Sequence, residues 1–270
     1  MNRYKQTFSK LKQSHQKAFV PFVNLGDPTA ELSLKIIDVL IAAGADALEL
    51  GLPFSDPLAD GPTIQRAHIR ALKNKTYTNI ALELIHLIRK KYPLLPIGIL
   101  AYTNLAYGYG KEKFFRKLAS VGVDSLLLAD LPLEMIDILR PYFLQNKISQ
   151  VLIAPPNADN KTLEQISKFS QDYIYLMSRS GVTGSEIKTT EDTKSIISQL
   201  RQYNCPPILQ GFGISTKEHA QAAIANGADG IFVGSALVKI IEDNLENELI
   251  LLEKINLKAR SIKAGCTPAT

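Results

Sequence analysis

Eight short apolar runs, separated for most of the chain by stretches with helical spacing, constrain this sequence more than any other feature. The runs are AFVPFVNLG, DALELG, PIGILAYTN, SLLLADLP, SQVLIAPP, YIYLMSRSG, PPILQGFG and GIFVGSA. The intervening segments include ELSLKIIDVLIAAG, NIALELIHLIRKKY, KEKFFRKLASVG, LEMIDILRPYFLQN, KTLEQISKFS, EDTKSIISQLRQY and TKEHAQAAIANG, whose apolar residues recur at helical steps. Strands alternating with helices form parallel βα units, and eight such units close a barrel. The expected fold is therefore α/β, a single (β/α)8 TIM barrel with an extra N-terminal helix. A doubly wound open sheet is the alternative.

An internal echo supports repetition. Gly44-Ala45-Asp46, Gly122-Val123-Asp124 and Gly227-Ala228-Asp229 each stand between a helical run and a strand. In each, the glycine provides a left-handed helix stop and the strand begins soon after. No glycine- or serine-rich linker interrupts the series, so residues 1–270 read as one domain. The helix within 1–15 and the helix and tail of 246–270 read as decorations on the barrel.

The composition is that of an ordinary globular chain, with 46% hydrophobic and 21% charged residues. The net charge of +5 is spread along helices and interleaved with acids, and no basic stripe with aromatics appears, which argues against nucleic-acid binding. A small phosphorylated substrate suits this balance better. Cys205 and Cys266 form no framework or CxxC pair, the N-terminus lacks the apolar run of a secretory signal, and no segment reaches membrane-spanning length. The expected location is the cytoplasm.

Barrel chemistry gathers at the C-terminal ends of the strands. In ADALELG, alternation places Ala45, Ala47 and Glu49 on one face and Asp46, Leu48 and Leu50 on the other. Turned inward, Glu49 would sit over a water-poor core, where desolvation favours the protonated form and suits it to acid–base work. Turned outward, it is an ordinary solvated glutamate. The loop after it offers Asp56 and Asp60. Asp56 before Pro57 is equally readable as a turn residue, and Asp60 as a cap for a helix beginning near Pro62. Physics ranks these two acids only weakly.

Towards the other end of the chain, QGFGIST and FVGSALVK each run from a strand into a helix, with Ser215 or Thr216 as a cap. Exposed backbone N–H groups and helix N-termini make a phosphate site, and barrels often place one after strands seven and eight. GVTG, 181–184, is positioned to close from the side. The spacing Gly211-x-Gly213-x-x-Thr216 excludes a dinucleotide fingerprint. No lysine stands on a strand end for a Schiff base. His15, His68, His86 and His219 lie in helical segments without metal-site spacing, and each reads as a surface histidine.

LELGLPFSDPLADGP (48–62) resembles the signature of the tryptophan synthase alpha subunit family. FVPFVNLGDP, PPNAD, SRSGVTG, QGFGIS and VGSALVKII are similar to that family in the same order, so the likeness spans essentially the whole chain. It implies a (β/α)8 barrel that cleaves indole-3-glycerol phosphate to indole and glyceraldehyde 3-phosphate. The resemblance makes Glu49 and Asp60 the catalytic carboxyl groups, and Gly184, Gly213, Gly234 and Ser235 the phosphate contacts. It makes Phe22, Leu100, Leu127, Ala129, Ile153, Tyr175, Gly211 and Phe212 the indole pocket. Pro53, Phe54, Asp56 and Thr183 become loop-closure and partner residues. It further implies a beta subunit as partner in an α2β2 complex, with pyridoxal phosphate in that partner and no cofactor or metal in this chain. Ser180 and Leu52 depart mildly from the pattern, where alanine and isoleucine are common. Another phosphate-binding barrel enzyme, and a non-catalytic activator of the partner, are the competing readings.

Overall fold

A computed structural model of the chain describes residues 2–178 and 193–267. Its strands are β1 (Ala18–Asn24), β2 (Leu48–Gly51), β3 (Ile97–Ala101), β4 (Ser125–Leu128), β5 (Ser149–Ala154), β6 (Ile174–Met177), β7 (Ile208–Gly211) and β8 (Gly230–Val233). Each pairs in parallel with the next, and β1 also pairs with β8, so the sheet closes into a barrel. Closure excludes the open sheet.

The helices begin with α1 (Arg3–Gln13), α2 (Ala30–Ala42), α3 (Pro62–Lys73), α4 (Thr78–Lys91), α5 (Thr103–Tyr109) and α6 (Lys111–Ser120). They continue with α7 (Ile136–Asn146), α8 (Asn160–Phe169), α9 (Thr193–Gln202), α10 (Lys217–Ala225), α11 (Ser235–Asp243) and α12 (Glu248–Lys263). The third apolar run is shorter than its sequence suggests. Asp130 accepts hydrogen bonds from the Thr103 amide and hydroxyl at 2.7 and 2.8 Å, which starts α5 directly after Tyr102. This is a helix that hydropathy does not announce.

Alternation sorts the strands into two layers. Leu48, Leu50, Ile97, Ile99, Leu126 and Leu128 face outward and pack under the helices. Ala47, Leu127, Val151, Tyr173, Leu209 and Phe232 fill the interior. Glu49 shares the inward face with Ala47, as the two-residue period requires.

The three Gly-x-Asp junctions have a second function beyond stopping helices. Gly44, Gly122 and Gly227 have φ of 104°, 89° and 102°, where a side chain is strained. Each aspartate then clasps the start of a neighbouring strand. Asp46 accepts from the Phe19 amide at 2.7 Å, and Asp124 and Asp229 accept from the Ile97 and Ile208 amides at 2.9 Å. Their own amides donate back to the carbonyls of those residues. A cation accompanies each: Lys263, Arg3 with Arg89, and Arg201.

The terminal helices are structural parts rather than decorations. From α1, Tyr4 and Leu11 enter the interior cluster and cover the N-terminal mouth of the barrel. From α12, Leu251, Ile255, Ala259 and Ile262 join the outer core, and Lys263 reaches Asp46. No helix among the described residues is long and apolar enough to cross a membrane.

Candidate active site

At the C-terminal ends of the strands lies a cleft with about 530 Å³ of empty space. Phe22, Glu49, Asp60, Leu100, Tyr175, Phe212, Gly213, Gly234 and Ser235 line it, together with Ile64, Ile214 and Phe232. Both carboxyl groups, the glycine turn and the start of α11 thus share one space.

Glu49 is 1% exposed. Its Oε2 accepts from the Tyr173 hydroxyl at 2.7 Å, while its Oε1 has no hydrogen-bond partner among the described residues. Burial pushes its pKa up to about 8, and the Tyr173 bond opposes that rise. Below it, the Tyr173 oxygen lies 3.5 Å from Ser125 Oγ, which donates to the Tyr4 hydroxyl at 3.2 Å. Gly98 makes this polar pocket possible. A Cβ there would lie 2.2 Å from Glu49 Oε2 and within 3 Å of the Ser125 and Tyr4 oxygens.

Asp60 is 6% exposed, on the loop between β2 and α3. Its Oδ2 accepts from the Tyr102 hydroxyl at 2.7 Å and lies 3.3 Å from His68 Nε2. Burial raises the Tyr102 pKa, with the Asp60 charge adding to the rise, so the phenol stays a donor. The structure separates the two loop acids that sequence left level. Asp56 is exposed and bonded by its neighbour Ser55, whereas Asp60 is buried against two side chains. Nor does Asp60 cap α3, whose N-cap is Gly61 with no side-chain cap bond.

Opposite the carboxyls, Phe212 and Gly213 take consecutive positive φ values of 63° and 70°. The turn ends at Thr216, which caps α10 by accepting from the His219 amide at 3.2 Å. Gly234 is the N-cap of α11 and Ser235 its first residue, so the positive end of that helix faces the cleft.

The other expected contacts divide. Gly211 lies under Tyr175, whose hydroxyl would be 2.2 Å from a Cβ at that position. Leu127, Ala129 and Ile153 do not line this cleft; they belong to the interior cluster that also holds Leu100 and Tyr175. Pro53 and Phe54 line a neighbouring apolar groove with Ile69, Leu72, Tyr77 and Leu105. Thr183 and Gly184 lie outside the described residues, as does the rest of GVTG.

Sequence reading missed four partners. His68 is not a surface histidine: it is 1% exposed and sits on the buried stripe Ile64-Ala67-His68-Ala71 of α3, a spacing that already marks it as inward. Tyr173 stands two residues before Tyr175 on the same strand face, and Phe232 two before Gly234, so both were within reach of the period-two rule. Tyr102 carried no such signal, because the unforeseen start of α5 positions it.

The chain matches the family described as Tryptophan synthase alpha chain over residues 8–267. It is 48% identical to a tryptophan synthase alpha chain of Cronobacter sakazakii over 269 residues, covering all of both chains. A solved tryptophan synthase subunit alpha from Legionella pneumophila is similar at 31% identity and a TM-score of 0.89, with 98% of each chain covered. A chain of the tryptophan synthase α2β2 complex from Pyrococcus furiosus is similar at 31% identity and a TM-score of 0.81, over 92% of this chain and 98% of that one.

Proposed function

The chain belongs to the tryptophan synthase alpha chain family, and from that premise we propose that Glu49 and Asp60 divide the proton chemistry of its reaction. The enzyme is a lyase that cleaves indole-3-glycerol phosphate to indole and glyceraldehyde 3-phosphate. The net change is transfer of one proton from the side-chain hydroxyl to indole C3 as the carbon–carbon bond breaks.

Glu49, protonated at neutral pH by burial, gives its proton to C3. Positive charge develops on the ring nitrogen, and Asp60 accepts that N–H through the oxygen not engaged by Tyr102 or His68. The Glu49 carboxylate then takes the hydroxyl proton. The carbonyl of the aldehyde forms, the C–C electron pair returns to the ring, and Glu49 is again an acid. Gly213, Gly234, Ser235 and the α11 N-terminus hold the phosphate. Phe22, Leu100, Tyr175 and Phe212 clasp the indole, with Leu127, Ala129, Ile153 and Gly211 behind them.

The observation that carries this reading is the Oε1 of a buried, proton-retaining Glu49, unpaired among the described residues and in the same cleft as Asp60. Indole release from indole-3-glycerol phosphate by Glu49→Gln and Asp60→Asn tests it. Glu49→Gln is expected to lose about 10²–10⁴-fold in kcat while still binding substrate, the usual cost of removing a general acid–base. For the unaltered enzyme, kcat/KM falls above about pH 8, where Glu49 gives up the proton it must donate. Turnover preserved in Glu49→Gln sinks the assignment.

The chain works as one domain in the cytoplasm, without a cofactor of its own, and assembles with a beta subunit that carries pyridoxal phosphate. Exposed Leu58, Tyr107 and Met135 support that partnership, since they lie on the loop after β2, in α5 after β3 and in the short 3-10 turn after β4, all at the catalytic end. Pro53, Phe54 and Asp56 belong to the same surface.

A further inference from the structure

We propose that His68 is a positioning residue, whose imidazole ties the 53–60 loop to Asp60 and fixes the carboxylate that receives the indole N–H. The inference rests on the role given to Asp60 above.

The two ring nitrogens of His68 have different partners. Nδ1 accepts from the Phe54 amide at 3.1 Å. A backbone amide only donates, so Nδ1 holds a lone pair and the proton of the neutral ring resides on Nε2. That proton points at Asp60 Oδ2, 3.3 Å away. The loop amide therefore selects the tautomer that donates to the carboxylate.

Tyr102 makes the matching connection at the other end of the loop. Its hydroxyl accepts from the Ala59 amide at 3.2 Å and donates to the same Oδ2 at 2.7 Å. The Phe54 ring stacks on Tyr102 at 5.1 Å, and the His68 ring meets Tyr102 edge-on at 6.4 Å. The loop is thus tied at Phe54 and at Ala59 by the two side chains that orient Asp60. Moving either end withdraws a donor from Oδ2.

The ring also projects from an anchored helix. Two residues beyond it, Arg70 holds the buried Asp27 through two bonds of 2.7 and 2.9 Å and reaches Glu242 on α11. Arg66 joins the same Glu242. His68 is therefore a fixed point against which the loop is set.

Two near-isosteric variants separate the halves of the clamp. His68→Asn keeps an acceptor near the Nδ1 position for Phe54 but has nothing at Nε2. His68→Gln places an amide N–H near the Nε2 position and gives up the Phe54 acceptor. The probes are indol-3-ylpropyl phosphate, which lacks the hydroxyl that cleavage needs, and its benzofuran counterpart, in which oxygen replaces the ring N–H.

The unaltered protein is expected to prefer the indole. His68→Asn should lose roughly tenfold of that preference, the scale of one hydrogen bond to a charged group, with benzofuran binding unchanged and kcat reduced more than KM is raised. His68→Gln should keep most of the preference while chymotrypsin cuts the loop after Phe54 or Leu58 faster. Equal loss for both probes in both variants, or an undiminished indole preference in His68→Asn, overturns the proposal. If His68→Asn does not fold, loss of the preference in folded His68→Gln overturns it alone. Asp60→Asn run in parallel separates the two readings: a preference that survives it faults the role of Asp60, and one that it abolishes but His68→Asn spares faults His68 only.

Discussion

Glu49 and Asp124 are acids in neighbouring layers of one barrel, and their surroundings give them opposite work. At the N-terminal end, Asp124 is bonded by Arg3, Arg89 and the Ile97 amide at 2.7–2.9 Å. Asp46 and Asp229 repeat the arrangement with Lys263 and Arg201. Every such acid has a cation and a strand amide, so it binds strand to strand and has little left for a ligand. At the C-terminal end, Glu49 has among the described residues one neutral donor, no cation beside it and one oxygen without a hydrogen-bond partner. The carboxyl group is the same, and neutralisation decides between scaffold and chemistry.

The largest expected effects come from deleting an acid at each end. Glu49→Gln should lower kcat by about 10²–10⁴-fold while leaving the melting temperature near or above that of the unaltered protein. Asp124→Ala should do the reverse, costing about 3 kcal/mol, near the low end for a broken buried pair because both arginines retain some solvent contact. That corresponds to a melting temperature lower by about 5–10 °C, with kcat per folded molecule preserved. Calorimetry alongside indole release reads both. A change of rate in Asp124→Ala without a change of stability would break the division between the two ends.

Most of this division was legible in the residues. Period-two alternation put Glu49 on one face with Ala47, leaving only the choice of inward or outward to the closed barrel, and the three Gly-x-Asp echoes marked the helix-to-strand junctions. The aspartate clasp escaped because its partners, such as Phe19 and Asp46, lie 27 positions apart. The catalytic end was legible as far as strand periodicity reaches: Phe22, Tyr175, Gly234 and Ser235 all meet in the cleft. What stayed hidden depends on chain reversals. The Tyr102 contact with Asp60 needs α5 to begin at Thr103, and that start is set by Asp130 from the next loop. No local pattern around Asp60 reports it.

A second test sharpens the comparison through stability alone. The folded protein holds Glu49 at about 8, against an ordinary value of 4.5 in the unfolded chain. Between these values the native state binds a proton that the unfolded chain has released, so this residue's contribution is intact below about pH 4.5 and is lost as pH rises through 8. Gln does not titrate. The melting temperature of Glu49→Gln should therefore gain on that of the unaltered protein from pH 5 upward and level off above 8. A gap that is flat with pH would mean that Glu49 is not desolvated as its burial requires.

The smallest expected effect isolates the one donor Glu49 has among the described residues. The Tyr173 hydroxyl favours the carboxylate by donating to Oε2, and so restrains the rise that burial causes. Removing it in Tyr173→Phe takes stabilisation from the charged form only. The acid then releases its proton later, and the alkaline limb of kcat/KM moves up by about one pH unit, the scale of a single hydrogen bond to an ionised group. The direction is the informative part. At the N-terminal end, losing a donor to a paired aspartate weakens a scaffold contact and leaves no kinetic trace. At Glu49 the same loss moves the pH at which the enzyme works, and a limb that stays in place or moves down would show that Tyr173 does not act on the reacting proton.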